Sequence, residues 1–83
     1  MLITCSKEWF QKNLKRIMAV MVYNCREFGD LIGVTRQVVG YWARERHEMP
    51  VYIFMAYQWA FEKLELDEDT KILLQTIFDQ EEA

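Results

Sequence analysis

Eighty-three residues with 52% apolar composition suffice for one domain with a modest core, expected over residues 1–83, and are too apolar for a disordered chain. No apolar run approaches the roughly 20 residues that cross a bilayer, and residues 1–4 are too short for a secretory leader, so a cytoplasmic protein with no membrane partner is expected. The net charge of −3 hides a division: eight Lys/Arg stand against four Asp/Glu up to His47, and two against nine after it, which predicts a basic face and an acidic one.

Three glycines and one proline leave few breakers, and strict apolar–polar alternation is nowhere sustained. The expected class is therefore all-α, a single small domain of about five helices. The first is predicted over residues 7–22, N-capped by Ser6, with Phe10, Leu14, Ile17, Met18 and Met21 on its apolar face. Cys5 and Cys25 show neither metal spacing nor a disulfide framework and read as reduced, partly buried thiols. Asn24 followed by Glu27 has the pattern of a capping box and predicts a short second helix ending at Gly33. Thr35 is a good N-cap for a third helix, running to about residue 44. Helices four and five are expected over about residues 50–80. Pro50 suits the start of the fourth, which carries Ile53, Phe54, Tyr57, Ala60 and Phe61. Asp67 precedes the fifth, which carries Ile72, Leu73, Ile77 and Phe78 and has acidic residues in its first turn, where the helix dipole favours them.

The informative stretch is residues 26–50. It reads as a short helix, a tight turn at Gly33-Val34-Thr35 and a second short helix. Phe28, Leu31, Ile32, Val34, Val39 and Trp42 form its apolar side. Gly29 sits where two helices crossing at roughly 90–120° touch. A helical glycine costs about 1 kcal/mol relative to alanine, so close packing is its expected motive. The outer side of the second helix shows Thr35, Arg36, Gln37, Gly40, Tyr41 and Arg44, which are hydrogen-bonding or small groups.

The pair Phe28-Gly29, the turn at residues 33–35, the run Arg36-Gln37-Val38-Val39-Gly40-Tyr41-Trp42 and Pro50 together resemble the helix-turn-helix of the lambda-repressor-like family, the Cro/XRE group of phage and bacterial regulators, with the motif at about residues 25–44. The resemblance implies that the second helix of the motif enters the major groove of double-stranded DNA. Carried over by position, it makes Arg36, Gln37 and Tyr41 base readers. Gly40 then allows close approach, Thr35 caps the helix and holds a phosphate, and Arg26, Arg44 and Arg46 lie toward the backbone. Three positions depart from the family pattern: Cys25 replaces a common Gln, Ala43 an acidic residue and Glu45 a glycine. Because Glu tolerates positive φ poorly, the loop 44–49 is expected to follow a path of its own.

Two functions of different class fit. The first is a sequence-specific transcriptional regulator, a phage- or mobile-element-type repressor acting as a homodimer. The apolar residues Met1, Leu2, Ile3, Trp9, Tyr52, Met55 and Trp59 exceed what a small monomer readily hides and point to that association. The second is a protein-interaction module, an antirepressor or adaptor on the same fold. Lys12, Lys15, Arg16, Arg36, Arg44 and Arg46 gathered on one surface would favour the first, and scattered the second. No Ser/His, Cys/His or paired-carboxylate arrangement is visible, and His47 stands alone in a polar loop, so neither enzymatic activity nor a cofactor, metal or small-molecule substrate is expected.

Overall fold

The computed structural model describes residues 2–81, so Met1 of the apolar N-terminal group lies outside the described residues. Among these residues all regular structure is helical, in six helices: α1 Lys7–Lys12, α2 Leu14–Met21, α3 Cys25–Asp30, α4 Arg36–Ala43, α5 Val51–Lys63 and α6 Glu68–Asp79. None of them is long and apolar enough to cross a membrane.

The expected first helix is two, divided at Asn13. The Asn13 side-chain Nδ2 donates to the Trp9 carbonyl at 2.9 Å, the same carbonyl that receives the Asn13 backbone N–H at 3.1 Å. A short amide that bonds back to the preceding turn bends the helix, and here Asn13 is buried where it does so. The N-termini of α1, α3, α4 and α6 follow their side-chain caps. Ser6 Oγ accepts from Trp9 N–H, Thr35 Oγ1 from Val38 N–H and Asp67 Oδ1 from Thr70 N–H. Asn24 and Glu27 form both halves of a capping box, at 2.8 and 3.0 Å. Pro50 stands just before α5, with the φ of −63° that its ring imposes.

α3 ends at Asp30, three residues before the expected Gly33. Ile32, Gly33 and Val34 all donate their N–H to the Gly29 carbonyl, at 3.1, 2.9 and 3.0 Å, and Gly33 takes φ +81° to complete that turn. α3 and α4 pack more extensively with each other than any other pair. Gly29 permits this: a Cβ there would stand 2.5 Å from the Val34 carbonyl oxygen.

Phe10 is the centre of the core. The rings of Phe28, Phe54, Tyr57, Phe61 and Phe78 surround it, with centroids 5.4–6.4 Å away. Phe28 and Tyr57 stack at 4.4 Å, and the Tyr57 hydroxyl donates to the Phe28 carbonyl at 3.0 Å, which satisfies the one polar atom of that side chain. Burial pushes the Tyr57 hydroxyl well above the ordinary tyrosine range, with the Cys25 thiol adding to the shift. Val39 and Trp42 of α4 also enter this core, so α4 is anchored by one side and leaves its other side outward. Leu31, expected on the apolar side of the motif, is only half-buried and lines an open groove with Ile32, Ala56, Trp59, Ala60, Lys63 and Leu64. In α6 the buried residues are Leu74, Ile77 and Phe78, whereas Ile72 and Leu73 are exposed.

Candidate nucleic-acid interface

α4 presents Arg36 and Gln37 to solvent in its first turn, directly after the Thr35 cap. Their positions follow from the register that Val39 and Trp42 impose by pointing inward. Tyr41 is half-buried one turn on, and Gln37 Nε2 donates to its hydroxyl at 2.8 Å. That bond joins residues four apart on one helix face, the spacing at which side chains meet. It uses one of the two amide N–H groups of Gln37, a residue that is otherwise exposed.

At the N-terminal end of α4, Arg26, Asp30, Gly33, Val34, Thr35 and Arg36 line an open polar cleft of ≈ 520 Å³. Arg26 from α3 and Arg36 from α4 thus share one opening, at the helix end where the backbone dipole favours an anion. Asp30 is the acidic residue between them. At the opposite end, the guanidinium of Arg44 folds back over Gly40, whose Cβ position lies 3.5 Å from the Arg44 Nη atoms. Gly40 is therefore covered by Arg44 and does not face open solvent. The same guanidinium carbon is 5.8 Å from the centroid of the Tyr41 ring, and exposed His47 meets that ring edge-on at 5.0 Å.

The loop after α4 departs from expectation. Glu45 adopts φ +56° in place of the usual glycine. Its N–H donates to the Trp42 carbonyl at 3.0 Å and that of Arg46 to the Tyr41 carbonyl at 2.9 Å, the paired bonds of a Schellman ending. The loop thus takes the left-handed turn despite the Cβ penalty, and the turn gives the Tyr41 and Trp42 carbonyls at the end of α4 backbone donors. A further constraint comes from Gln11 of α1, which is buried against this loop. The sequence carried a signal for it: Gln11 precedes Leu14 and Met18 by three and seven residues and so falls on the apolar stripe, where a polar residue calls for a specific partner.

The cations do not all collect at α4. Arg36 opens α4 and exposed Arg44 and Arg46 follow its last turn, with Arg26 across the cleft at its start. Arg16 instead bonds Asn13 at 3.0 Å and Gln80 at 3.3 Å. Lys12 lies 5.9 Å from the Trp9 ring, whose Nε1 donates to the Ile77 carbonyl. Arg16 is thereby drawn toward the end of α6, while Lys12 stays beside Trp9 of its own helix. Lys7 pairs with Glu48 at 2.9 Å. Cys5 is a free, buried thiol and Cys25 a free, half-buried one at the start of α3. Among the described residues no group of three or more His, Cys, Asp or Glu is placed to hold a metal ion.

Fold and site define a class: a small all-α domain whose fourth helix, held by two inward anchors, exposes a short line of hydrogen-bonding side chains between arginines. No family model matches the chain, and no curated protein or solved structure does either.

Proposed function

We propose that the chain is a sequence-specific double-stranded DNA-binding regulator, a cytoplasmic repressor of the phage or mobile-element type that acts as a homodimer. The observation that carries this reading is the row Arg36, Gln37 and Tyr41 on the outward side of α4, with arginines at both of its ends. In this reading α4 enters the major groove N-terminus first. The Arg36 fork suits guanine O6 and N7, and the Gln37 amide suits adenine N6 and N7. The Tyr41 hydroxyl holds the Gln37 amide in advance, which lowers the cost of ordering it on binding. Arg26, Thr35, Arg44 and Arg46 face the phosphates. Gly40 serves close approach only if Arg44 swings from it to the backbone.

The test is selection from a random duplex library followed by salt-titrated binding. Gln37→Ala is expected to keep the fold and the affinity for random duplex while losing about 1–3 kcal/mol on the selected site. Arg36→Ala should lose a similar amount, with a larger share on random DNA. Retention of full site preference by both variants, or no duplex binding by the wild type at low salt, removes the proposal. The protein-interaction reading is favoured by one observation, the turning of Arg16 away from α4 toward Gln80. It takes over if the wild type fails to bind DNA.

A further inference from the structure

Gln11 is bonded only to backbone. Its Nε2 donates to the carbonyls of Trp42, at 3.2 Å, and His47, at 2.7 Å, and its Oε1 accepts the Met49 N–H at 2.9 Å. These three groups span the last turn of α4 and the whole loop to Pro50. Lys7, one turn earlier on the same face of α1, ties Glu48 of that loop from outside. Met49 closes the loop by inserting fully into the core. Between the ties stand Arg44, the left-handed Glu45, Arg46 and His47.

We infer that Gln11 is a positioning residue: it sets the path of the loop 44–49 so that Arg44 and Arg46 meet the DNA backbone where α4 leaves the groove. This rests on the DNA-reading function proposed above. A glutamine is suited to the task because one planar amide both donates and accepts, so it can bridge carbonyls and an N–H that lie in one segment. It carries no charge that burial would penalise.

Gln11→Glu tests this through its protonation. The neutral acid keeps the shape, donating to the His47 carbonyl and accepting from Met49. The carboxylate has no donor and faces two carbonyls. Burial raises the pH at which such a carboxyl ionises. Lys7, Glu48 and His47 are the neighbouring titratable groups, and the wild type measured at the same pH values corrects for them. Two readouts are followed across pH: binding to a random-sequence duplex against salt, and exchange of the Met49 amide hydrogen without DNA. At low pH the variant should match wild type in both. At high pH the Met49 amide should exchange fast, and the slope of log affinity against log salt should fall by about one to two. Arg46→Ala should flatten the slope by about one in the wild type and add little to ionised Gln11→Glu. Gln11→Met should show the high-pH behaviour at every pH, with circular dichroism confirming that both variants keep their helices.

A Met49 amide that stays protected in ionised Gln11→Glu overturns the clamp. A freed Met49 with an unchanged salt slope, and an Arg46→Ala effect as large as in wild type, overturns its role in DNA contact while the DNA reading stands. A wild type that binds no duplex overturns the reading and this inference together.

Discussion

At Gly29 and Glu45 the presence or absence of a Cβ bears on stability, and in opposite directions. At Gly29 a methyl group would meet the Val34 carbonyl oxygen at 2.5 Å, and the Val34 carbonyl carbon and Val39 Cγ2 at 3.3 Å. Backbone cannot rotate away as a flexible side chain can, so α3 and α4 must separate. Gly29→Ala is expected to destabilise by about 1–3 kcal/mol, the usual cost of overpacking, despite the better helix propensity of alanine. Glu45 is the converse case. A left-handed conformation costs an L-residue about 1–2 kcal/mol, and glycine returns part of that as extra freedom in the unfolded chain. Glu45→Gly should therefore stabilise by about 0.5–1 kcal/mol. Urea titrations of the two variants beside wild type settle both signs. A Glu45→Gly protein with a lower midpoint would show that the Glu45 side chain contributes more than its backbone strain costs.

At the scale of the elements, legibility followed the range of the interactions. Asn24 with Glu27, Thr35 and Asp67 act within three residues, so their helix starts were readable from sequence. The outward place of Arg36 and Gln37 was readable too, because Val39 and Trp42 set the register of α4 by simple spacing. The break at Asn13 was not, since asparagine bends a helix only where its amide reaches back, and the reward here comes from burial. Periodicity places Gln11 on the apolar stripe, but its partners lie 31 to 38 residues away and no local spacing names them. The apolar surplus divided in a way spacing could not foresee. Ile3 went into the core, Leu2 and Trp9 pack half-buried against it, and Tyr52, Met55 and Trp59 of α5 stayed 71%, 59% and 64% exposed. Those three follow one another at three and four residues and form one face beside the groove of Leu31, Ile32 and Ala60. The proposed homodimer is expected to use this face. Trp59→Glu should then give a monomer in sedimentation equilibrium, where wild type at micromolar concentration gives a dimer. Loss of simultaneous half-site contact should lower affinity for the selected duplex by about 10²–10⁴. A wild type that sediments as a monomer with and without DNA excludes the dimer.

At the scale of the molecule, the two ends of the described chain are fastened together. Glu81, just past α6, accepts the Ser6 backbone N–H at 2.9 Å and the Ser6 hydroxyl, while Trp9 Nε1 donates to the Ile77 carbonyl at 2.8 Å. Ser6 is also the cap of α1, so the Glu81 carboxylate sits at the positive end of that helix. Hydrogen bonds from Ser6 hold the Glu81 carboxyl below its ordinary value, as Lys7 does for Glu48 and Thr70 for Asp67. A carboxyl whose folded value is depressed contributes stability above its unfolded value, and that contribution is lost as pH falls through the folded one. Stability should therefore decline on acidification from the ordinary carboxylate range downward, and Glu81→Gln should flatten part of that decline. The variant and wild type should differ at neutral pH and converge in acid. Cys5 offers an independent reporter beside the clasp. Burial, with the Glu81 charge second, pushes its thiol up to about 11, so alkylation of the folded wild type at neutral pH should be slow. Removing the Glu81 charge and loosening the clasp both expose more thiolate. Glu81→Gln should thus speed Cys5 alkylation relative to that of Cys25, which mass spectrometry resolves in one sample. Superimposable acid unfolding curves together with an unchanged ratio of Cys5 to Cys25 labelling would mean that the contact between the chain ends does not hold the fold closed.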